Sequence, residues 1–117
     1  MKNLAETRAR YLADPLPRRL GALAADLARV ASSARRTAGA ESVALMLEES
    51  QYFIEWTAVD VETEVAAELV DLQVMLALWR RSWPEAQHSQ TQRALLSFQA
   101  KKWSDQVLNY SGLLTPA

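Results

Sequence analysis

Four acidic side chains in the middle of the chain have the spacing of a metal site. Glu68 and Asp71 are three residues apart, so on a helix they lie on one face and can approach the same cation. Glu48 and Glu49 lie upstream, and a second helix packed beside the first would bring one of them opposite that pair. Carboxylate oxygens suit Mg²⁺. The alternative interpretation of these four acids is a solvated or salt-bridged helix face.

The segment around the second pair resembles a known family. Residues 66–72, with the sequence AAELVDL, are similar to the ExxD helix of the all-α nucleoside-triphosphate pyrophosphatases of the MazG type. In that family a preceding helix supplies ExxE, and Mg²⁺ bound by the four acids holds the triphosphate. The resemblance implies a Mg²⁺-dependent nucleotide pyrophosphatase or a degenerate relative that only binds nucleotide. Gln51 or Tyr52 stands here where the family has the second acid of its first helix.

Little else in the sequence suggests catalysis. His88 is the only histidine, and it lies in a predicted polar loop, where a solvated role is more common than a catalytic one. There is no cysteine, and three glycines leave no glycine-rich phosphate loop. We therefore predict a non-enzymatic interaction or assembly protein that needs no cofactor. The pyrophosphatase-like function, with Mg²⁺, is the alternative.

Large aromatic residues predict a protein interface. Tyr52 to Trp56 is apolar on both faces of a helix, and one bundle core cannot cover both. Large aromatics concentrate binding energy at buried contact centres. We predict a homo-oligomer, most simply a dimer, and leave room for another protein partner. The predicted interface residues are Tyr52, Phe53, Trp56, Trp79 and Trp83.

A long acidic stretch, residues 40–84, must position most of these side chains. It has no glycine or proline before Pro84, and nine of the fourteen acids fall in it. Its apolar residues recur every three or four positions, which places them on one helical face. Three consecutive steps of four after Thr57, together with β-branched residues, leave two interpretations open: one long helix, or two helices joined by a bend near 57–60. The residues of this face are Val43, Leu47, Ser50, Ile54, Thr57, Val61, Val65, Leu69, Leu72, Leu76, Trp79 and Trp83.

Three further helices flank the acidic stretch. A short N-terminal helix within residues 1–13 is capped by Asn3, and a helix over 15–36 ends at Gly39. The last helix begins at Ser89 or Gln90 and runs to about Tyr110, with Leu95 and Phe98 widening its apolar stripe; residues 113–117 form a tail. The sequence thus predicts an all-α fold, a four- or five-helix bundle in one domain over residues 1–117.

Charge is distributed unevenly along the chain. Residues 1–36 carry eight basic and three acidic side chains, residues 37–79 carry nine acids and no base, and residues 80–117 carry five bases and two acids. If the bundle packs the acidic middle segment against the two basic segments, their opposite charges offset each other. The net charge of −1 makes nucleic acid an unlikely partner; binding would require an exposed patch of Arg18, Arg19, Arg29, Arg35 and Arg36.

The most apolar run, residues 72–79, has eight residues including Gln73, where a membrane span needs about 20. No membrane association and a cytoplasmic location are therefore expected.

Three segments resemble small all-helical proteins of cyanobacteria: LADPLPRRLG (residues 12–21), FIEW (53–56) and YSGLL (110–114). That resemblance implies no activity, cofactor or partner.

Overall fold

The computed structural model describes residues 3–112, which form five α-helices and no strand. The predicted all-α fold is confirmed, and the predicted tail at 113–117 lies outside the described residues. Two short 3₁₀ turns, Thr37–Gly39 and Ala58–Asp60, join helices. The α-helices are α1 (Leu4–Ala13), α2 (Leu16–Ala34), α3 (Ala40–Thr57), α4 (Thr63–Ala86) and α5 (Gln90–Ser111).

Helix α2 is the centre of the bundle, with α3 and α5 packed against it. Small side chains let α2 and α5 approach closely: the hydroxyl of Ser97 donates to the carbonyl of Ala31 at 2.6 Å, and that of Ser104 donates to the carbonyl of Ala24 at 2.7 Å. Both pairs are seven residues apart and run in opposite order, so the two helices are antiparallel. The alanine-rich composition of α2 is thus explained by this contact.

The acidic stretch forms two helices, α3 and α4, which fold back on each other. The Trp83 indole donates to the Ala40 carbonyl at 2.9 Å, and the Gln73 amide donates to the Gln51 carbonyl at 3.0 Å. Of the two interpretations left open, the bend near 57–60 is therefore the correct one. The predicted apolar face is buried along both helices, with only Val61 and Val65 partly exposed. The longest dimension of the molecule is 41 Å, too short for one helix of the whole stretch.

The first helix begins as its sequence predicts. The side chain of Asn3 accepts a hydrogen bond from the Glu6 amide at 3.2 Å and so caps α1. Leu4 nevertheless stays at the surface, whereas Tyr11 is buried. The Tyr11 hydroxyl makes buried hydrogen bonds with the Arg19 carbonyl at 2.9 Å and with the Thr57 hydroxyl at 2.6 Å, which tie α1 to the rest of the core.

Two predicted helix boundaries were wrong. Gly39 does not end α2: it has φ −88°, closes the 3₁₀ turn and precedes α3. Glycine is needed there because a Cβ would lie 2.2 Å from the Ser33 carbonyl oxygen. Helix α4 continues past Pro84 to Ala86, since a proline in the last turn removes only one amide hydrogen bond from the helix.

Candidate functional site

The four predicted metal ligands do not converge. Glu48 on α3 lies 3.8 Å from the Arg80 guanidinium, and Glu68 on α4 accepts a hydrogen bond from the Tyr110 hydroxyl. Asp71 is exposed on α4. Among residues 3–112 no group of three or more acidic or histidine side chains is arranged to hold a metal ion. The acids of α3 and α4 thus have the salt-bridged and solvated surroundings of the alternative interpretation.

Glu49 instead faces a buried acid that the sequence interpretation missed. Asp26 on α2 is 2% exposed; one of its oxygens lies 3.4 Å from Arg29 Nη1, and the other, Oδ2, accepts no hydrogen bond from a described donor. Burial and, to a lesser degree, the neighbouring Glu49 raise the pKa of Asp26 to about 8, and Arg29 opposes this rise. A proton on Asp26 supplies the donor that two ionised carboxylates lack. Asp26 and the half-buried Glu49 are therefore neighbouring acids of α2 and α3, an arrangement that favours the protonated form of Asp26.

Three of the predicted interface residues belong to an aromatic cluster that joins α1 and α3. The rings of Tyr11 and Phe53 stack with centroids 4.0 Å apart, and Trp56 lies within 5.8 Å of Tyr11. Tyr52 is half-buried at the edge of this cluster, and its ring stacks on that of Trp56 with centroids 5.5 Å apart. Phe53 and Trp56 are buried in the chain's own core because α1 covers the second apolar face of α3.

The other two predicted interface residues are also buried. The Trp79 indole donates to the Gln99 side chain at 2.8 Å, and the Trp83 indole donates to the Ala40 carbonyl. These hydrogen bonds satisfy both ring N–H groups inside the chain. The structure of one chain does not test oligomerisation, so a dimer stays a prediction, but four of its five proposed contact residues are enclosed within one chain.

Three exposed apolar residues lie together on the outer side of α4. Val70, Val74 and Leu78 are 53%, 54% and 55% exposed, and they follow one another at intervals of four residues. At 3.6 residues per turn their stripe is centred about 180° from the buried residues of the same helix. We call Val70, Val74 and Leu78 the outward face of α4. Its spacing was present in the sequence, but it was hidden by the stronger pattern of the buried face.

The outward face continues towards α5. Leu78 also lines a shallow cleft of about 270 Å³ between α4 and α5, together with Met75, Trp79 and Leu95. Leu95, predicted to widen the core stripe of α5, is 42% exposed at this cleft. That prediction was wrong because α5 turns Leu96, Ser97 and Ala100 towards the core, which leaves Leu95 outside. The outer surface of α4 and the adjoining cleft form one apolar region.

Nucleic-acid binding would require an exposed patch of five arginines, and one of the five is not exposed. Arg19, expected at the surface, is buried: its Nη1 pairs with Asp60 at 2.9 Å, and its Nε donates to the Asp14 carbonyl at 3.1 Å. The Arg19–Asp60 pair joins the basic N-terminal segment to the acidic stretch, as the charge distribution predicts, and the Arg80–Glu48 pair joins α4 to α3 within that stretch. His88 is exposed in the turn before α5.

No helix within residues 3–112 combines the length and the apolar character that a membrane crossing needs.

The outward face of α4 is the feature of the surface that most needs a functional explanation, since its apolar side chains face water in the single chain. Comparisons of the chain with protein-family models, with curated proteins and with solved structures find no match.

Proposed function

We propose that this chain is a non-enzymatic assembly protein that forms a homodimer through the outward face of α4. One observation carries the proposal: Val70, Val74 and Leu78 make an apolar stripe on the side of α4 opposite its buried face. Evenly spaced apolar residues at positions i, i+4 and i+8 are typical of a helix that packs against another helix. The stripe is symmetric about Val74, which suits a two-fold contact between identical surfaces.

Charge favours an antiparallel arrangement of the two helices. The N-terminal half of α4 carries only acids, and its C-terminal half carries two bases and one acid: Glu64, Glu68 and Asp71, followed by Arg80, Arg81 and Glu85. All six charged side chains are exposed. A two-fold axis at Val74 brings Arg81 of each copy within about one turn of the other copy's Glu64. A parallel arrangement would instead align like charges, which destabilises pairing.

The contact is apolar enough to contribute to association. Fully burying a valine or leucine contributes about 1.5–3 kcal/mol, so side chains that are half exposed have about 1 kcal/mol each still to gain. Six such side chains across a two-fold contact contribute roughly 6 kcal/mol before the costs of association. Burial of Met75 and Leu95 in the adjoining cleft adds to this sum. The dimer should therefore be reversible and should depend on concentration.

The proposal is tested by molar mass from light scattering at micromolar concentration. We expect a mass of twice the 13.1 kDa of one chain, and we expect Val74→Glu to give the mass of one chain because two like charges would meet at the axis. Val59→Glu is the matched control, since Val59 is 82% exposed outside α4. A wild-type chain that stays at 13.1 kDa, or a Val74→Glu variant that dimerises like the control, contradicts the proposal. The cytoplasmic location stays a prediction.

A further inference from the structure

A second feature of the surface is a basic cleft between the C-terminal end of α2 and the first half of α5. It encloses about 490 Å³, and the charged side chains that line it are all basic: Arg35, Arg93 and Lys101. Ser97 and Phe98 also line the cleft. No acidic residue lines the cleft. Three cations around one concave space indicate an anionic ligand, because nothing in the cleft offsets their mutual repulsion.

Hydrogen bonds hold the two guanidinium groups in place. Arg35 Nε donates to the Ser97 hydroxyl at 3.1 Å, and Arg93 Nη1 donates to the Gln87 carbonyl at 2.8 Å. Each contact uses one nitrogen and leaves the remaining N–H groups of the fork for a ligand. Arg93 Nε is buried and has no acceptor among the described residues. A buried donor without a partner is rare, so this nitrogen lacks the acceptor that such groups usually have.

The rim of the cleft carries an exposed aromatic ring and an exposed cation. Phe98 is 69% exposed, although it was predicted to lie in the core stripe of α5. Lys101 pairs with Asp105 at 3.1 Å, and both side chains are well exposed. A surface pair of this kind is worth little, so the ammonium group can exchange Asp105 for a ligand. The cleft thus combines an anion-binding floor with an aromatic surface at its edge.

We propose that this cleft binds a nucleoside phosphate. The planar guanidinium group of an arginine can donate to two oxygens of one phosphate group, so Arg35 and Arg93 would bind the phosphates. A nucleobase can stack on an exposed aromatic ring, which accounts for Phe98. The volume lies in the range of small-molecule sites. The cleft shares no residue with the four acids considered for Mg²⁺ or with the outward face of α4, so this inference is independent of the proposed dimer.

The test is calorimetric titration of the full chain with adenosine diphosphate at low salt. We expect saturable binding that weakens as salt is added, with inorganic pyrophosphate and adenosine each binding less tightly. Arg93→Gln should weaken binding by about tenfold or more, because a charged hydrogen bond is lost. Phe98→Leu should also weaken it by about tenfold through lost stacking. Lys101→Gln serves if Arg93→Gln unfolds, because Lys101 lies at the surface.

The matched control is Arg8→Gln, which makes the same change of charge on α1, outside the cleft. It should leave the affinity for adenosine diphosphate unchanged. The proposal is overturned by an absence of saturable binding at millimolar nucleotide, or by equal losses in Arg8→Gln and in the cleft variants. It is also overturned if pyrophosphate binds as tightly as the nucleotide and Phe98→Leu has no effect. A single-stranded oligonucleotide that binds far more tightly than the nucleotide would point to a strand-binding surface instead.

Discussion

Replacement of Asp26 by asparagine should stabilise the protein at neutral and alkaline pH. Asp26 is 2% exposed, and its pKa is raised from 3.8 to about 8 by burial and by Glu49. An asparagine amide is neutral at every pH and can donate to Glu49 as a protonated Asp26 does. The variant therefore keeps the hydrogen bond between α2 and α3 and removes the cost of a buried charge.

The size and sign of the effect follow from the pKa of Asp26. Between about pH 4 and pH 8 the folded chain holds a proton that the unfolded chain has released, so the free energy of unfolding falls as pH rises through this window. A pKa raised from 3.8 to about 8 corresponds to a cost of about 6 kcal/mol for ionised Asp26. We expect Asp26→Asn to recover several kcal/mol of this cost at pH 8, because the amide does not ionise. At pH 4 the gain should be close to zero.

The assay is urea unfolding followed by circular dichroism at pH 4, 6 and 8, for the wild type and for Asp26→Asn. Asp105→Asn is the matched control, since Asp105 is exposed and makes only a surface ion pair with Lys101. Its stability should follow that of the wild type within about 0.5 kcal/mol at each pH. A difference between Asp26→Asn and wild type that is the same at pH 4 and pH 8, or a variant less stable than wild type at pH 8, would refute this reasoning.

Two further predictions concern stability. Tyr11→Phe removes two buried hydrogen bonds but keeps the stack on Phe53, so it should cost about 1–3 kcal/mol in urea unfolding and should abolish a phenol titration near pH 12 in ultraviolet absorbance. An unchanged titration near pH 12 would contradict the burial of this hydroxyl. Gly39→Ala places a Cβ 2.2 Å from the Ser33 carbonyl and should cost more than Gly112→Ala, where only the φ of 74° opposes the side chain, by roughly 1 kcal/mol or more. Equal thermal shifts for the two alanine variants would show that the close approach at Gly39 is easily relieved.

The sequence predicted the helices well because their apolar spacing is local information. The face from Val43 to Trp83 was identified almost completely, and the unusual spacing after Thr57 marked the place where α3 ends. Spacing does not reveal which helix a face meets. In α5, Ser97 and Ser104 rather than Phe98 face α2, because only small side chains fit at so close a contact.

The functional surfaces were harder to predict because they depend on tertiary contacts. The aromatic residues Phe53 and Trp56 form an apolar surface on an isolated α3, but α1 covers it through Tyr11. The burial of Asp26 depends on α3 lying beside α2, and only an acid within an alanine- and leucine-rich helix hints at it in the sequence. The outward face of α4 becomes recognisable only when the opposite face of that helix is seen to be filled.

The most direct test of the proposed dimer is disulfide formation by Val74→Cys, since the chain contains no other cysteine. Helices packed about 8–10 Å apart, each with Cα atoms on a radius of about 2.3 Å, bring facing Cα atoms at a two-fold axis to about 5 Å, within disulfide range. Under mild oxidation at micromolar concentration, we expect Val74→Cys to give a covalent dimer of twice 13.1 kDa, while Val59→Cys remains a single chain. Equal cross-linking of both variants, or none at residue 74, would contradict pairing through the outward face of α4.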